Sequence, residues 1–91
     1  MNVIHKVELA PGTNVLRLPL GTEFLSVAMQ RGAPTLWYRR PVFPPTLEER
    51  AVYLTGTGHE FPEDDYKFIG TMLTEDQNFV FHVFEIGQPQ G

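Results

Sequence analysis

The chain has 91 residues, no cysteine and a formal net charge of −4. That length holds one domain, burying on the order of 60–65% of the surface its unfolded form exposes; without cysteine there is no disulfide, thiolate zinc site or cysteine nucleophile, which fits a reducing compartment. The acidic balance argues against general nucleic-acid binding, and no stretch approaches the roughly 20 apolar residues of a membrane span or the apolar run of a secretory signal.

Eight Pro and eight Gly punctuate the sequence, and β-branched and aromatic residues fill the short runs between them. This spacing predicts an all-β domain of about seven strands, a small antiparallel sandwich or barrel over residues 3–86, with at most one short helical turn. Val3–Leu9 alternates, with Val3, His5, Val7 and Leu9 on one face. Ala10 to Thr13 turns the chain, and Asn14–Pro19 follows with Leu16 and Leu18 inward. Glu23–Arg31 sets Leu25, Val27 and Met29 against Phe24, Ser26 and Ala28, and Gly32-Ala33-Pro34 reads as a hairpin loop into Thr35–Arg40. Pro44-Pro45 marks a loop or sheet edge, and Thr46-Leu47-Glu48-Glu49 matches a capping box that would start one helical turn. Arg50–Thr55 is the fifth strand. Tyr66–Leu73 is the sixth, with Gly70 as a bulge or close-approach point.

Phe79–Ile86 is the seventh strand, followed by a polar tail from Gly87 to Gly91. Phe79, Phe81 and Val83 lie on one of its faces; Val80, His82, Phe84 and Ile86 lie on the other. A sheet with one wet face should alternate with polar residues. The strand is therefore central and covered on both sides, or one face meets another subunit. The second reading is preferred, so Val80, His82 and Phe84 are expected at a homo-oligomer interface.

Catalytic patterns are missing. Ser26 sits in mid-strand between Leu25 and Val27 without the glycines of a nucleophile elbow. His5, His59 and His82 lack metal-ligand spacing, and the first and last read as imidazoles among apolar neighbours, bonded to carbonyls. Glu60, Glu63, Asp64 and Asp65 lack the alternating oxygen pattern of a calcium loop. The chain is expected not to be an enzyme and to hold no cofactor or metal.

Two segments suit binding. In Thr55-Gly56-Thr57-Gly58-His59 the glycines could free backbone N–H groups into an anion nest, complemented by Thr55, Thr57 and His59. In Trp37-Tyr38-Arg39-Arg40, Trp37 and Arg39 share a face, and with Arg40 they suit a nucleotide or an acidic partner surface. The competing reading puts Trp37 in the core and pairs both arginines with acids of the Glu60–Asp65 loop.

Ile4-His5-Lys6, Val27-Ala28-Met29-Gln30 with Leu36-Trp37, Gly56-Thr57-Gly58-His59, Phe68-Ile69-Gly70-Thr71 and Phe81-His82-Val83-Phe84-Glu85 together resemble a widespread family of small proteins of tailed bacteriophages and prophages. The resemblance runs from Ile4 to Glu85, with Arg40–Leu47 as the variable region. It implies an accessory protein of the host bacterial cytoplasm, acting against host defence or host machinery. The binding target would be a small anionic, nucleotide-like ligand or a host protein. The alternative is a decoration or connector protein of the virion.

Overall fold

Seven runs of alternating or aromatic-rich sequence, cut apart by glycine and proline, form seven strands. The computed structural model describes residues 1–43, 46–63 and 65–87; the expectations for Pro44-Pro45, Asp64 and the tail beyond Gly87 lie outside the described residues. The strands are β1 (Asn2–Glu8), β2 (Gly12–Pro19), β3 (Glu23–Gln30), β4 (Ala33–Pro41), β5 (Leu47–Gly56), β6 (Tyr66–Leu73) and β7 (Val80–Ile86). They build a three-stranded sheet in the order β1-β4-β3 and a four-stranded sheet in the order β2-β5-β7-β6, with every pairing antiparallel. The two sheets form a sandwich, not a closed barrel.

Side chains of alternate residues point to opposite faces, and the apolar sets meet between the sheets. Leu9, Leu36, Val52, Leu54, Met72 and Val83 are buried there, with Val7, Leu16, Phe24, Val27, Met29, Ile69 and Phe81 packed around them. β3 turns into β4 through Arg31 and Gly32, both at positive φ (52° and 78°), the backbone that a two-residue hairpin turn matches to strand twist. The β6 bulge falls at Ile69, and Gly70 beside it is the point of close approach. The β6–β7 register shifts between Phe68 and Gly70, and a Cβ on Gly70 would lie 2.8 Å from a methyl group of Val27 on the other sheet.

Three expectations need correction. Thr46–Glu49 does not begin a helical turn: β5 starts at Leu47, because Leu47, Glu48 and Glu49 pair with Pro19, Leu18 and Arg17 of β2. A ladder partner outweighs a local capping signal. The phase of β3 also breaks at Leu25, where the register with β4 shifts. Leu25 is exposed, and Phe24 joins Val27 and Met29 against the core. Phe79 precedes β7 and is exposed instead of packing beside Phe81.

β7 does not need a second subunit to cover its outer face. β7 is central, between β5 and β6, and its second face is covered by the chain itself. Phe84 pairs with Tyr53 on one side and Phe68 on the other. Phe61, from the segment linking β5 to β6, lies over this face with its ring 4.4 Å from Phe84, 5.0 Å from Tyr66 and 6.0 Å from Tyr53. Thr55 Oγ1 donates to the Glu60 carbonyl (3.1 Å) and the Gly87 N–H to the Asp65 carbonyl (2.7 Å), tying down that segment at both ends.

β1 is different. It packs chiefly on β4, and every residue except Val7 is exposed, so it projects past the cover of the four-stranded sheet.

Candidate functional site

Leu36, on the central strand β4, is fully buried in the core, so alternation turns its neighbour Trp37 outward, away from the four-stranded sheet. Trp37 pairs with Lys6 on β1 and Ser26 on β3. A shallow depression beside it is lined by Ile4, His5, Lys6 and Trp37. Arg39, two residues on, shares the outward face. Its Nε meets Glu23 Oε1 at 3.1 Å, while Nη1 donates to Asn2 Oδ1 and Nη2 to the Gly21 carbonyl, both at 2.9 Å. Lys6 Nζ donates to the Gln30 side chain. The face therefore offers a half-buried indole with two cations at its margin, one of them neutralised by Glu23.

Arg40 lies on the opposite side of β4 from Trp37 and Arg39 and donates to the carbonyls of Pro41 (3.0 Å) and Val42 (3.4 Å). The reading that places Trp37 in the core thus fails, and Arg39 meets Glu23 instead of a described acid of the Glu60–Asp65 loop. Trp37 and Arg39 come together; Arg40 does not join them.

The glycine-rich segment sits elsewhere, at the end of β5. The N–H groups of Thr57 and His59 and both threonine hydroxyls are engaged within the chain. The Thr57 N–H donates to the Val80 carbonyl (3.2 Å) and the His59 N–H to the Gly56 carbonyl (3.1 Å). Thr55 Oγ1 is bound to the Glu60 carbonyl, and Thr57 Oγ1 lies 2.7 Å from His82 Nε2. An anion nest needs these N–H groups converging and unpaired, so the segment is a turn that ties β5 to β7. His59 is exposed, beside an opening lined by Gly56, Thr57, Asn78 and Phe81.

The three histidines stay apart. His5 is exposed and packs edge-on to Tyr38 (6.2 Å). His82 is half-buried, held between Thr57 Oγ1 and Thr71 Oγ1, the latter 3.0 Å from Nδ1. Among the described residues neither is bonded to a carbonyl as the sequence suggested. Hydroxyls satisfy His82 instead: Thr71 lies directly opposite it on β6, and Thr57 reaches it from the turn that follows β5. Of the expected interface residues, Phe84 and His82 are engaged within the chain, and Val80 is half-buried with its carbonyl bound to Thr57.

A family model described as a domain of unknown function (DUF7352) matches residues 1–91. The chain belongs to the DUF7352 family. No curated protein and no solved structure matches it.

One feature of this DUF7352 domain escaped sequence reasoning. Arg50 and Glu85 form a two-pronged ion pair between the sheets, Nε to Oε2 at 2.7 Å and Nη2 to Oε1 at 2.8 Å, with side chains only 14% and 11% exposed. Arg50 Nη1 donates to the Thr22 carbonyl, and the guanidinium lies 4.2 Å from the centre of the Phe24 ring. The hydrogen bond to Glu85 raises the Arg50 pKa above its ordinary value, against the opposing effect of burial. A cleft of about 240 Å³ opens here, with Lys67 and Glu23 at its lining. The pair satisfies itself, which makes it a clamp between β3, β5 and β7. The missed signal was parity: Arg50 shares a face with Val52 and Leu54, and Glu85 with Val83.

Proposed function

We propose that the chain is a non-catalytic binding domain whose partner is a protein, docked on the outward face of the three-stranded sheet with Trp37 as its anchor. The observation that carries this reading is the placement of the chain's one Trp on the outer side of a central strand, half-exposed beside Ile4, Lys6 and Arg39. Trp and Arg dominate the energetics of protein interfaces, and a flat sheet face suits a protein surface better than a small molecule. The small-anion version loses support because the Thr55 and Thr57 hydroxyls and the Thr57 and His59 N–H groups that would grip an anion are bonded within the chain, which leaves the exposed His59 imidazole to act without them. Lys6 and Arg39 at the margin favour a partner that brings a carboxylate to the rim. The phage-like resemblance would make the partner a protein of the host bacterial cytoplasm.

The test compares the parent with Trp37→Ala, each immobilised at equal load and exposed to bacterial extract. Loss of a hot-spot aromatic costs about 2 kcal/mol or more, roughly 30-fold in affinity. The expected result is a protein retained by the parent and lost from the variant, with unchanged circular dichroism. The same proteins retained by both would overturn the proposal, as would a nucleotide that shifts Trp37 fluorescence at micromolar concentration while no protein is retained.

A further inference from the structure

The edge of β1 carries a second interaction that does not rest on the Trp37 reading. An unpaired strand edge is a template for another strand, and proteins blunt such edges with bulges, prolines or cover. Here β3 is interrupted by a bulge near Leu25 and β6 by one at Ile69, and β2 ends on Pro19, which has no N–H to give. β1 has no bulge, no proline and, among the described residues, no cover; of the devices that blunt an edge it carries only the charges of Lys6 and Glu8. Its register against β4 runs unbroken from Asn2 opposite Pro41 to Glu8 opposite Thr35.

Hydrogen-bond parity fixes which groups face outward. The Leu9 N–H donates to the Pro34 carbonyl (2.8 Å), and the Met1 carbonyl accepts from the Val42 N–H (3.1 Å). Antiparallel ladders alternate hydrogen-bonded and non-hydrogen-bonded pairs. Val3, His5 and Val7 therefore direct their amide groups to β4, and Asn2, Ile4, Lys6 and Glu8 direct theirs to the open edge.

We infer that two copies of the chain join through antiparallel pairing of β1 with β1, about a two-fold axis at His5. This centre sets Asn2 opposite Glu8 of the other copy and Ile4 opposite Lys6, so each outward N–H and C=O of the edge gains a partner. Val3 then meets Val7 of the other copy on one face. On the other face the Asn2 amide meets the Glu8 carboxylate, and the aliphatic stem of Lys6 lies on Ile4. No Lys faces Lys and no Glu faces Glu. Self-complementarity of this kind selects a second copy over an unrelated strand. Exposure of Val3 and of Ile4 (61%) gives the pairing apolar surface to bury. The result is a continuous six-stranded sheet.

Two variants test it. Ile4→Pro removes an outward N–H and no bond to β4, so it should keep the strand content of the parent. Light scattering after size exclusion, at high micromolar concentration, should give the parent twice its 10.4 kDa and this variant 10.4 kDa. The chain has no cysteine, so His5→Cys can form a disulfide only between copies. A non-hydrogen-bonded pair holds its Cα atoms about 4.5 Å apart, within the disulfide range. The expected result is near-complete dimer on a non-reducing gel for His5→Cys and none for Lys6→Cys. A monomeric parent, a dimer that survives Ile4→Pro, or Lys6→Cys linking as well as His5→Cys would each overturn the inference.

Discussion

Glu85→Gln is the sharpest probe of how the two sheets are held together. The substitution keeps the shape of the side chain and removes its charge, leaving the Arg50 guanidinium between the sheets with the Thr22 carbonyl, the Phe24 ring and a neutral amide. Breaking a buried ion pair from one side costs about 3–5 kcal/mol. The new amide still accepts one hydrogen bond, so the lower end, about 3 kcal/mol, applies. Total stability for a chain of this size is roughly 5–14 kcal/mol, and each kcal/mol moves the melting temperature of such a domain by about 4–8 °C. Thermal and urea denaturation, followed by Trp37 fluorescence and circular dichroism, should therefore show a fall of roughly 12–24 °C. The double variant Arg50→Met with Glu85→Leu supplies the control. Replacing both charges by apolar groups should recover most of the loss, because the desolvation of both ions disappears as well. A loss below about 1 kcal/mol in Glu85→Gln would place the pair with solvated surface bridges, and the reasoning would be refuted.

Two further outcomes follow from local geometry. Phe61→Ala should cost about 1.5–2.5 kcal/mol in urea denaturation, half of what a fully buried Phe costs, since Phe61 is half-buried against Phe84, Tyr66 and Tyr53; unchanged stability would remove its role as the cover of β7. The Asp76 carboxylate accepts from the Thr74 hydroxyl and from the backbone and side-chain N–H groups of Asn78, which hold its pKa below the ordinary value, Thr74 most strongly. A depressed folded-state pKa gives stability that is present above the unfolded value, about 3.9, and is lost as pH falls through the folded one. Carboxyl NMR shifts of Asp76 should thus titrate below the unfolded value, and Thr74→Ala should move the midpoint up.

The strands were legible because turn chemistry and alternation are local. Gly12, Gly21 and Gly32 all adopt positive φ at the breaks the sequence announces, and β6 has the bounds expected of it. Locality also explains the errors. Thr46 and Glu49 carry a helix-start signal that only the partner strand β2 overrides. The cover of Phe84 is a lone Phe61 in a segment with no periodicity, so a strand apolar on both faces was assigned to another subunit. The Arg50–Glu85 pair joins residues 35 apart in sequence, and its partners are not even directly opposite, since Glu85 pairs with Val52.

The outer faces of the two sheets are treated in opposite ways, and that contrast bears on function. The four-stranded sheet presents Tyr53, Phe84 and Ile86 outward, and the chain spends nine residues between β5 and β6 to lay Phe61 over them. The three-stranded sheet receives no such cover from the described residues, although it carries the one Trp and an edge strand exposed at every residue but Val7. A chain able to shield one aromatic face with its own loop is under no constraint of length that forbids shielding the other. Leaving Trp37 and β1 open costs apolar burial in a domain with little to spare. Such a cost is expected where surface is reserved for association, and it falls on the sheet where both proposed contacts lie.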